Sequence, residues 1–278
     1  MAKNDINAQA AADAAAALAE DIGGGDISAA LIENAPPCAG IVYAKSAAVL
    51  CGRPWFESCF LQLDGDAAFD WRAPEGGEIS SGDKVCEVRA LPRALLSGER
   101  SALNFLQTLS ATATAARRMQ KRAGAAVIAD TRKTLPKLRA AQKYAVRTGG
   151  ARNHRMGLFD EILIKENHIA AAGGIAAALQ KARGAAAEEK IQIETRSLEE
   201  LSAALSAGAR RILLDNFSPA DLRRAVAQTN GRAELEASGG ITEDNIAAVA
   251  ATGVDRISSG SITKNICAAD FSFILSAP

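Results

Sequence analysis

The chain holds two histidines in 278 residues, and both fall within NHRMGLFDEILIKENH, as His154 and His168. Upstream of them lies DTRKT, at 130–134. Across 117–165 there are 13 Lys or Arg against three acids, Asp130, Asp160 and Glu161. The whole chain carries 32 bases and 32 acids, so this excess is local. It points to a small anionic ligand rather than to an extended polyanion. Arginine offers a planar fork matched to carboxylate or phosphate, and lysine a compact positive charge.

Arg132 and Lys133 follow an apolar segment and Asp130, then meet Thr134 and Pro136. They belong to a loop, where a binding role outweighs that of a solvated helix face. For Lys137 and Lys143 both readings stay open. His154 stands beside Arg155 in a polar loop after Gly149 and Gly150, as a further anion donor or as a satisfied structural donor. Lys165 closes an apolar run and precedes Glu166, Asn167 and His168, the last of which suits a support for the loop presenting Lys165. Two histidines with no compact Asp, Glu or Cys cluster around them do not compose a structural zinc centre.

Glu194 and Asp215 end two successive apolar runs. They are either loop caps and arginine partners, or oxygen ligands for ribose hydroxyls or Mg²⁺, directly or through water. ASGGI and SSGSI place Ser238, Gly239, Gly240, Ser259 and Gly260 where a strand would enter a helix. Small residues there can expose backbone N–H groups to a phosphate. Together these parts describe an anionic sugar phosphate, a second anionic reactant and Mg²⁺. They do not identify the bond made or broken.

The elements that must position these groups fall into two patterns. The first 99 residues hold 15 acids and seven bases, with short apolar runs. A helix is expected at 10–18, extended segments at 38–50 and 84–88, and a long helix at 92–122. From 125 the pattern becomes regular: strands at 125–129, 161–164, 190–193, 211–214, 233–235 and 254–257, with helices at 175–183, 198–207, 219–228 and 242–251. The last four strands recur about every 22 residues, the spacing of parallel β/α units. Polar residues follow each strand, so parallel strands would gather them on one rim, as in an α/β barrel. An open doubly wound sheet would also collect ligands at its carboxyl ends. Contributions from six strands fit a closed or nearly closed barrel better.

Composition narrows the class further. Hydrophobic residues make up 48%, mostly alanine, which favours helical layers on a sheet over an all-β sandwich. Zero net charge argues against a nucleic-acid partner. Five cysteines without paired metal-ligand spacing suit reduced, mostly buried thiols. The N-terminal stretch lacks a basic segment followed by an apolar core, so neither a signal peptide nor a membrane span is expected, and a cytoplasmic location follows.

The motifs ALAEDIGGGDIS, LLSGERSALNFLQTLSATAT, DTRKTLPKLR, QKYAVRTGGARNHRMGLFDEILIKENH, LLDNF, EASGGI and GVDRISSGSIT cover most of the chain. In them the sequence resembles the quinolinate phosphoribosyltransferases, also called nicotinate-nucleotide pyrophosphorylases (carboxylating). The resemblance implies an α/β fold in two parts. A small sandwich-like N-terminal α/β domain would span 1–112, with the tail at about 270–278 returning to it, and an incomplete, seven-stranded β/α barrel would span 113–269. It implies that quinolinate meets 5-phosphoribosyl 1-pyrophosphate, releasing pyrophosphate and CO₂ to give nicotinate mononucleotide.

The resemblance also implies roles. Arg132, Lys133, His154, Arg155 and Lys165 would line the quinolinate and phosphoribosyl site, and Lys133, Glu194 and Asp215 would act in catalysis. Arg100 would reach into the active site of a partner in a homodimer, and some members form hexamers. Glu194 and Asp215 would hold ribose hydroxyls and help organise Mg²⁺. Ser238, Gly239, Gly240, Ser259 and Gly260 would form the phosphate end. The chain departs from the family's usual pattern at Gln142, Ala151, Gln192, Arg196 and Lys264, the last of which keeps a positive charge for a phosphate contact. Two enzyme rivals are the molybdenum-associated paralogue, which typically departs at the segment present here as LIKENH, and a nicotinate-specific transferase, which would not need so many cations. A non-catalytic phosphate-sensing or RNA-binding barrel is disfavoured by the few aromatics and by Glu194 and Asp215.

Overall fold

In a computed structural model, which describes residues 3–32 and 36–276, the chain divides into two compact units. Residues 1–115, 136–149 and 266–278 form the first, and 116–135 with 150–265 form the second. Of the expected N-terminal domain, residues 1, 2 and 33–35 lie outside the described residues, as do 277 and 278 of the expected tail.

The first unit begins with α1 (Lys3–Ile22). Ile6, Ala10, Ala14 and Leu18 recur every four residues and are buried, so small and apolar side chains make a single stripe along it. Strands β1 (Cys38–Ala44) and β2 (Ala48–Val49) follow, then α2 (Arg53–Leu61), where Pro54 suits the first turn. Trp55, Phe56 and Phe60 on α2 have no exposed surface. Burying each contributes roughly 2–3 kcal/mol. Strands β3 (Ala68–Trp71), β4 (Glu78–Ile79) and β5 (Lys84–Ala90) lead into the long helix α3 (Pro92–Ala123), which runs from the first unit into the second. Near the end of the chain a strand at Phe271–Leu275 pairs antiparallel with β1, completing a four-stranded sheet with β5 and β3. The helix expected at 10–18 is thus longer, and the extended segment 38–50 breaks into two strands.

Among the described residues no disulfide forms, and Cys51, Cys59 and Cys86 are buried. Burial pushes the Cys59 and Cys86 thiols up to about 12, so both stay protonated and unreactive at neutral pH. Among the described residues no helix is long and apolar enough to cross a membrane.

The second unit is built on parallel strands: β6 (Val127–Ala129), β7 (Ile162–Ile164), β8 (Ile191–Thr195), β9 (Arg211–Asp215), β10 (Glu234–Ser238) and β11 (Arg256–Ser258). Between β6 and β7 the chain makes α4 (Arg139–Thr148), which belongs to the first unit. Helices α5 (Glu166–Ala172), α6 (Ile175–Arg183), α7 (Leu198–Ser206), α8 (Pro219–Thr229), α9 (Ile246–Ala250) and α10 (Ser261–Lys264) complete the repeat. The terminal strand at Phe271–Leu275 is β12. Ser197 and Ser218 cap α7 and α8 by accepting the Glu200 and Asp221 N–H groups.

The six strands lie in the order β6-β11-β10-β9-β8-β7. Chain order therefore runs around the sheet, with β11 closing back onto β6, as in a barrel that remains open beside β7. Where a seventh strand would pair there is a single bridge, Ala129 to Arg152, carried by the Arg152 N–H to the Ile128 carbonyl and the Asp130 N–H to the Arg152 carbonyl. The segment is too short for a ladder because the next backbone donor, the His154 N–H, goes to the Asp130 carboxylate instead.

Strand alternation then decides which side chains share a face. Glu194 is opposite Leu213, Leu213 opposite Glu236, and Glu236 opposite Arg256. One step further along, Asp215 is opposite Ser238. Directly opposed residues point the same way, so one face of the sheet carries a polar stripe. Ile193, Ile212, Leu214, Leu235 and Ile257 occupy the other face and are buried.

Candidate active site

A cavity of about 260 Å³ opens over the carboxyl ends of these strands. Thr131, Arg132, Lys133, His154, Arg155, Leu163, Lys165, Glu194, Leu213, Asp215, Ser238 and Ser258 line it, all from the second unit. A larger cavity of about 610 Å³ lies between β7 and helices α5 and α6, lined mainly by Ile162, Ile164 and alanines. Arg155, Glu161, His168 and Lys181 also border it, but the smaller cleft is the one that brings Arg132, Lys133, Lys165, Glu194 and Asp215 together with Arg155 at the strand ends, so it is the candidate site.

Each cation is held by identifiable local structure. The loop after β6 is pinned by Asp130, which has no exposed surface. Its carboxylate accepts Asn153 Nδ2–H at 2.5 Å and the His154 N–H at 2.9 Å, tying 130 to 153–154. The Lys133 N–H donates to Thr131 Oγ1 at 3.0 Å, and Thr263 Oγ1 donates to the Lys133 carbonyl at 2.8 Å. A Cβ on Gly260 would stand 2.9 Å from Lys133 Cδ, so glycine there makes room for the lysine stem. Lys165 is the N-cap of α5, and its N–H donates to His168 Nδ1 at 2.9 Å. This is the supporting part expected of His168.

Lys165 Nζ lies 3.0 Å from Glu194 Oε2. Glu194 is buried, its side chain 8% exposed, whereas Lys165 reaches into the open. Asp215 Oδ2 accepts from Asn216 Nδ2 at 3.1 Å, and Asn216 itself adopts a left-handed φ of 58°. The Asn216 N–H donates to the Ser238 carbonyl at 2.9 Å, so the ends of β9 and β10 are coupled.

Arg155 is the most constrained cation. It is 9% exposed, its N–H donates to His154 Nδ1 at 2.7 Å, and its Nη1 donates to the Glu161 carbonyl at 3.4 Å. Burial lowers its pKa, and the nearby Arg132 charge lowers it further, against the opposite pull of Asp160 and Glu161. A buried guanidinium facing a cationic cleft is a candidate contact for an anionic ligand.

Of the residues singled out from sequence, Arg132, Lys133, His154, Arg155, Lys165, Glu194, Asp215 and Ser238 come together in this cleft. Ser259 does not line it: its Oγ donates to the Ile241 carbonyl at 2.6 Å and its N–H to the Ala129 carbonyl. Gly239, Gly240 and Gly260 shape the turns behind it, and Lys264 is exposed at the end of α10. Arg100 sits on α3 in the first unit, its side chain 59% exposed and 3.5 Å from Glu99. Lys143, open to two readings in the sequence, is 1% exposed on α4 and so belongs to neither a solvated face nor this cleft. His154 Nε2 turns inward to Gln192 Oε1 at 3.1 Å.

Sequence reasoning overlooked Thr131, Ser258, Leu163 and Leu213 as lining residues. Ser258 had a signal: in RIS it alternates with Ile257 and shares the face of Arg256.

Known proteins match over this whole arrangement. The family model for the quinolinate phosphoribosyl transferase N-terminal domain matches residues 26–110, and that for the C-terminal domain matches 111–274. The chain is 40% identical over 256 residues to a probable nicotinate-nucleotide pyrophosphorylase (carboxylating) of Bacillus subtilis, covering 91% of this chain and 89% of the relative. It is 40% identical over 257 residues to the human nicotinate-nucleotide pyrophosphorylase (carboxylating), covering 90% and 86%. The solved nicotinate-nucleotide pyrophosphorylase of Francisella tularensis superposes with a TM-score of 0.93 at 40% identity, covering 97% of each chain. With both domain models matched in order across 26–274 and relatives aligned over nearly their full lengths, the chain belongs to the quinolinate phosphoribosyltransferase family.

Proposed function

We propose that the cationic cleft joins quinolinate to 5-phosphoribosyl 1-pyrophosphate, giving nicotinate mononucleotide for NAD biosynthesis. The observation that carries this reading is the lining of one cleft: Arg132, Lys133, Arg155 and Lys165 supply cations for a dicarboxylate and a pyrophosphate, beside Glu194 and Asp215 as acceptors for ribose hydroxyls. Quinolinate supplies two carboxylates. The pyridine nitrogen attacks the anomeric carbon as its bond to pyrophosphate breaks. The resulting pyridinium accepts the electron pair released with CO₂ from the adjacent carbon, and a proton then replaces the carboxylate. Such a reaction needs orientation and preorganised charge rather than a covalent nucleophile.

Arg132, Arg155 and Lys165 orient the dicarboxylate, with Lys133 placed between it and the departing pyrophosphate. Glu194 and Asp215 take the ribose hydroxyls and offset positive character at the anomeric carbon. Both are hard oxygen donors on neighbouring strands of the cleft, a set that fits Mg²⁺ bound through water and substrate phosphates. When bound, Mg²⁺ neutralises pyrophosphate charge. Ser238, Gly239 and Gly240 receive the phosphate end, aided by Gly260 and Lys264, while Ser259 braces the turn through the Ile241 carbonyl. The catalytic unit is a cytoplasmic homodimer in which Arg100 of each chain serves the other's cleft, and the domain boundary lies near 112, as the division between the two family models supports.

Incubating the purified protein with quinolinate, 5-phosphoribosyl 1-pyrophosphate and Mg²⁺ should yield nicotinate mononucleotide and CO₂ together. Folded protein that forms neither product would overturn the reading. Nicotinate in place of quinolinate should be a poor acceptor, because it lacks the second carboxylate for the cations of the cleft to hold.

The phosphate end gives a second test. Gly239 has a φ of 99°, and a Cβ there would overlap the Asn216 side chain. Gly239→Ala should therefore raise KM for 5-phosphoribosyl 1-pyrophosphate about tenfold and cost about 1–3 kcal/mol of stability. Steady-state kinetics and thermal melting would check both, and an unchanged KM in a folded variant would remove the glycine turn from the phosphate site.

A further inference from the structure

Behind the cleft lies a buried polar group that the reaction as drawn does not use. Glu236, in the middle of β10, has no exposed surface, and Gln192 on β8 is 2% exposed. His154 Nε2 is 3.1 Å from Gln192 Oε1 and 3.4 Å from Glu236 Oε1. Gln192 Nε2 donates to Glu236 Oε2 at 3.2 Å, and Arg256 Nε lies 3.3 Å from the same oxygen.

These contacts admit one arrangement of protons. His154 Nδ1 accepts the Arg155 N–H, so its lone pair is engaged and the ring proton must sit on Nε2. That N–H points at Gln192 Oε1, which leaves the Gln192 amide N–H₂ to face Glu236. Reversing the amide would set two donors against each other at His154 and two acceptors at Glu236. The surrounding contacts fit this: Asp130 accepts the His154 backbone N–H, Gln192 and Glu236 lie on its Nε2 side, and Arg256 and Ser258 of β11 flank the carboxylate. Burial pushes the Glu236 carboxyl up, while the contacts with His154, Ser258 and Arg256 lower it more, to about 2.

We propose that Glu236, acting through Gln192, is a positioning residue for the acceptor site: it fixes His154 as the Nε2–H tautomer, whose Nδ1 anchors the Arg155 backbone and so sets where that guanidinium meets a substrate carboxylate. The role rests on the reading of the cleft as the quinolinate site. Outer partners that orient a histidine in this way have measurable effects on the site they support.

The tautomer can be read without substrate. With two histidines in the chain, ¹⁵N-histidine labelling of the full protein gives two imidazole signals, and His168→Gln assigns them. Wild-type His154 should appear as the neutral Nε2–H form near pH 7; an Nδ1–H form or an imidazolium there would overturn the proposal with no variant needed. Glu236→Gln should turn that signal into a tautomer mixture. It should also raise KM for quinolinate about tenfold, with kcat within about threefold of wild type and KM for 5-phosphoribosyl 1-pyrophosphate unchanged. Gln192→Leu, which leaves the Glu236–Arg256 pair intact, should do the same even if Glu236→Gln does not fold. A folded variant that keeps the wild-type tautomer and quinolinate KM would overturn the proposal, as would a fall in kcat alone. Absence of turnover in the wild-type protein would instead sink the quinolinate reading and leave the tautomer result standing.

Discussion

Arg155→Met is expected to lower kcat/KM for quinolinate by roughly a thousandfold while leaving the folded protein at least as stable as wild type. The two halves of that expectation have one cause. In the folded chain burial and then Arg132 depress the Arg155 pKa, so the charge is disfavoured by folding and its removal releases a repulsion. Methionine keeps most of the buried stem in contact and leaves no cavity of consequence. When quinolinate is bound the balance reverses: a carboxylate compensates the guanidinium in a place where water cannot, and losing a buried partner of that kind costs about 2–5 kcal/mol. Melting curves of the empty variant should match or exceed the wild type, and the stabilisation that quinolinate gives the wild type should vanish. The preference for quinolinate over nicotinate should collapse with it. A variant that loses activity and melting temperature together would show that Arg155 holds the fold rather than the acceptor.

Why these residues, and not the whole site, could be read from the sequence is a matter of range. The β/α repeat was legible because each unit is local: the run expected as a strand at 211–214 is β9, and the helix expected at 175–183 is α6 with the same bounds. Arg132, Lys133, Lys165, Glu194 and Asp215 were legible because strand ends in a parallel sheet converge wherever the strands lie. What escaped depends on register. Glu236 and Arg256 look like ordinary charges in ELEAS and RIS until alternation and pairing set them opposite each other on the face shared with Glu194. His154 could be recognised as belonging to the cleft, but not that its ring turns away from solvent toward Gln192. Lys143 shows the same limit from the other side, since both a solvated face and a binding role stayed open for it and the structure buries it outside the cleft. The seventh strand was expected from resemblance, and its reduction to the Arg152 bridge follows from a carboxylate, Asp130, taking the donor that a ladder would have used.

Arg100→Ala and Lys133→Ala should each lower turnover by a hundredfold or more, roughly the loss of one charge-assisted contact at the reacting groups, yet a mixture of the two inactive proteins should regain activity. The expectation comes from where the two side chains stand. Lys133 lines the cleft of its own chain, framed by Thr263 and Gly260, whereas Arg100 projects from α3 of the first unit, its side chain 59% exposed and 3.5 Å from Glu99. An arginine so weakly held costs little stability to remove, so a loss of activity in Arg100→Ala must come from a cleft it serves. If that cleft belongs to a second subunit, a mixed dimer contains one site with both native residues and one with neither. Random exchange makes about half of the dimers mixed, so about a quarter of all sites become intact. Differently tagged chains followed by native mass spectrometry would establish exchange, and product formation would report the recovered sites. Full exchange with no recovery would place Arg100 in its own chain's cleft or outside catalysis altogether. Recovery near a quarter, lost again when the double variant replaces either partner, would require each active site to draw on two subunits.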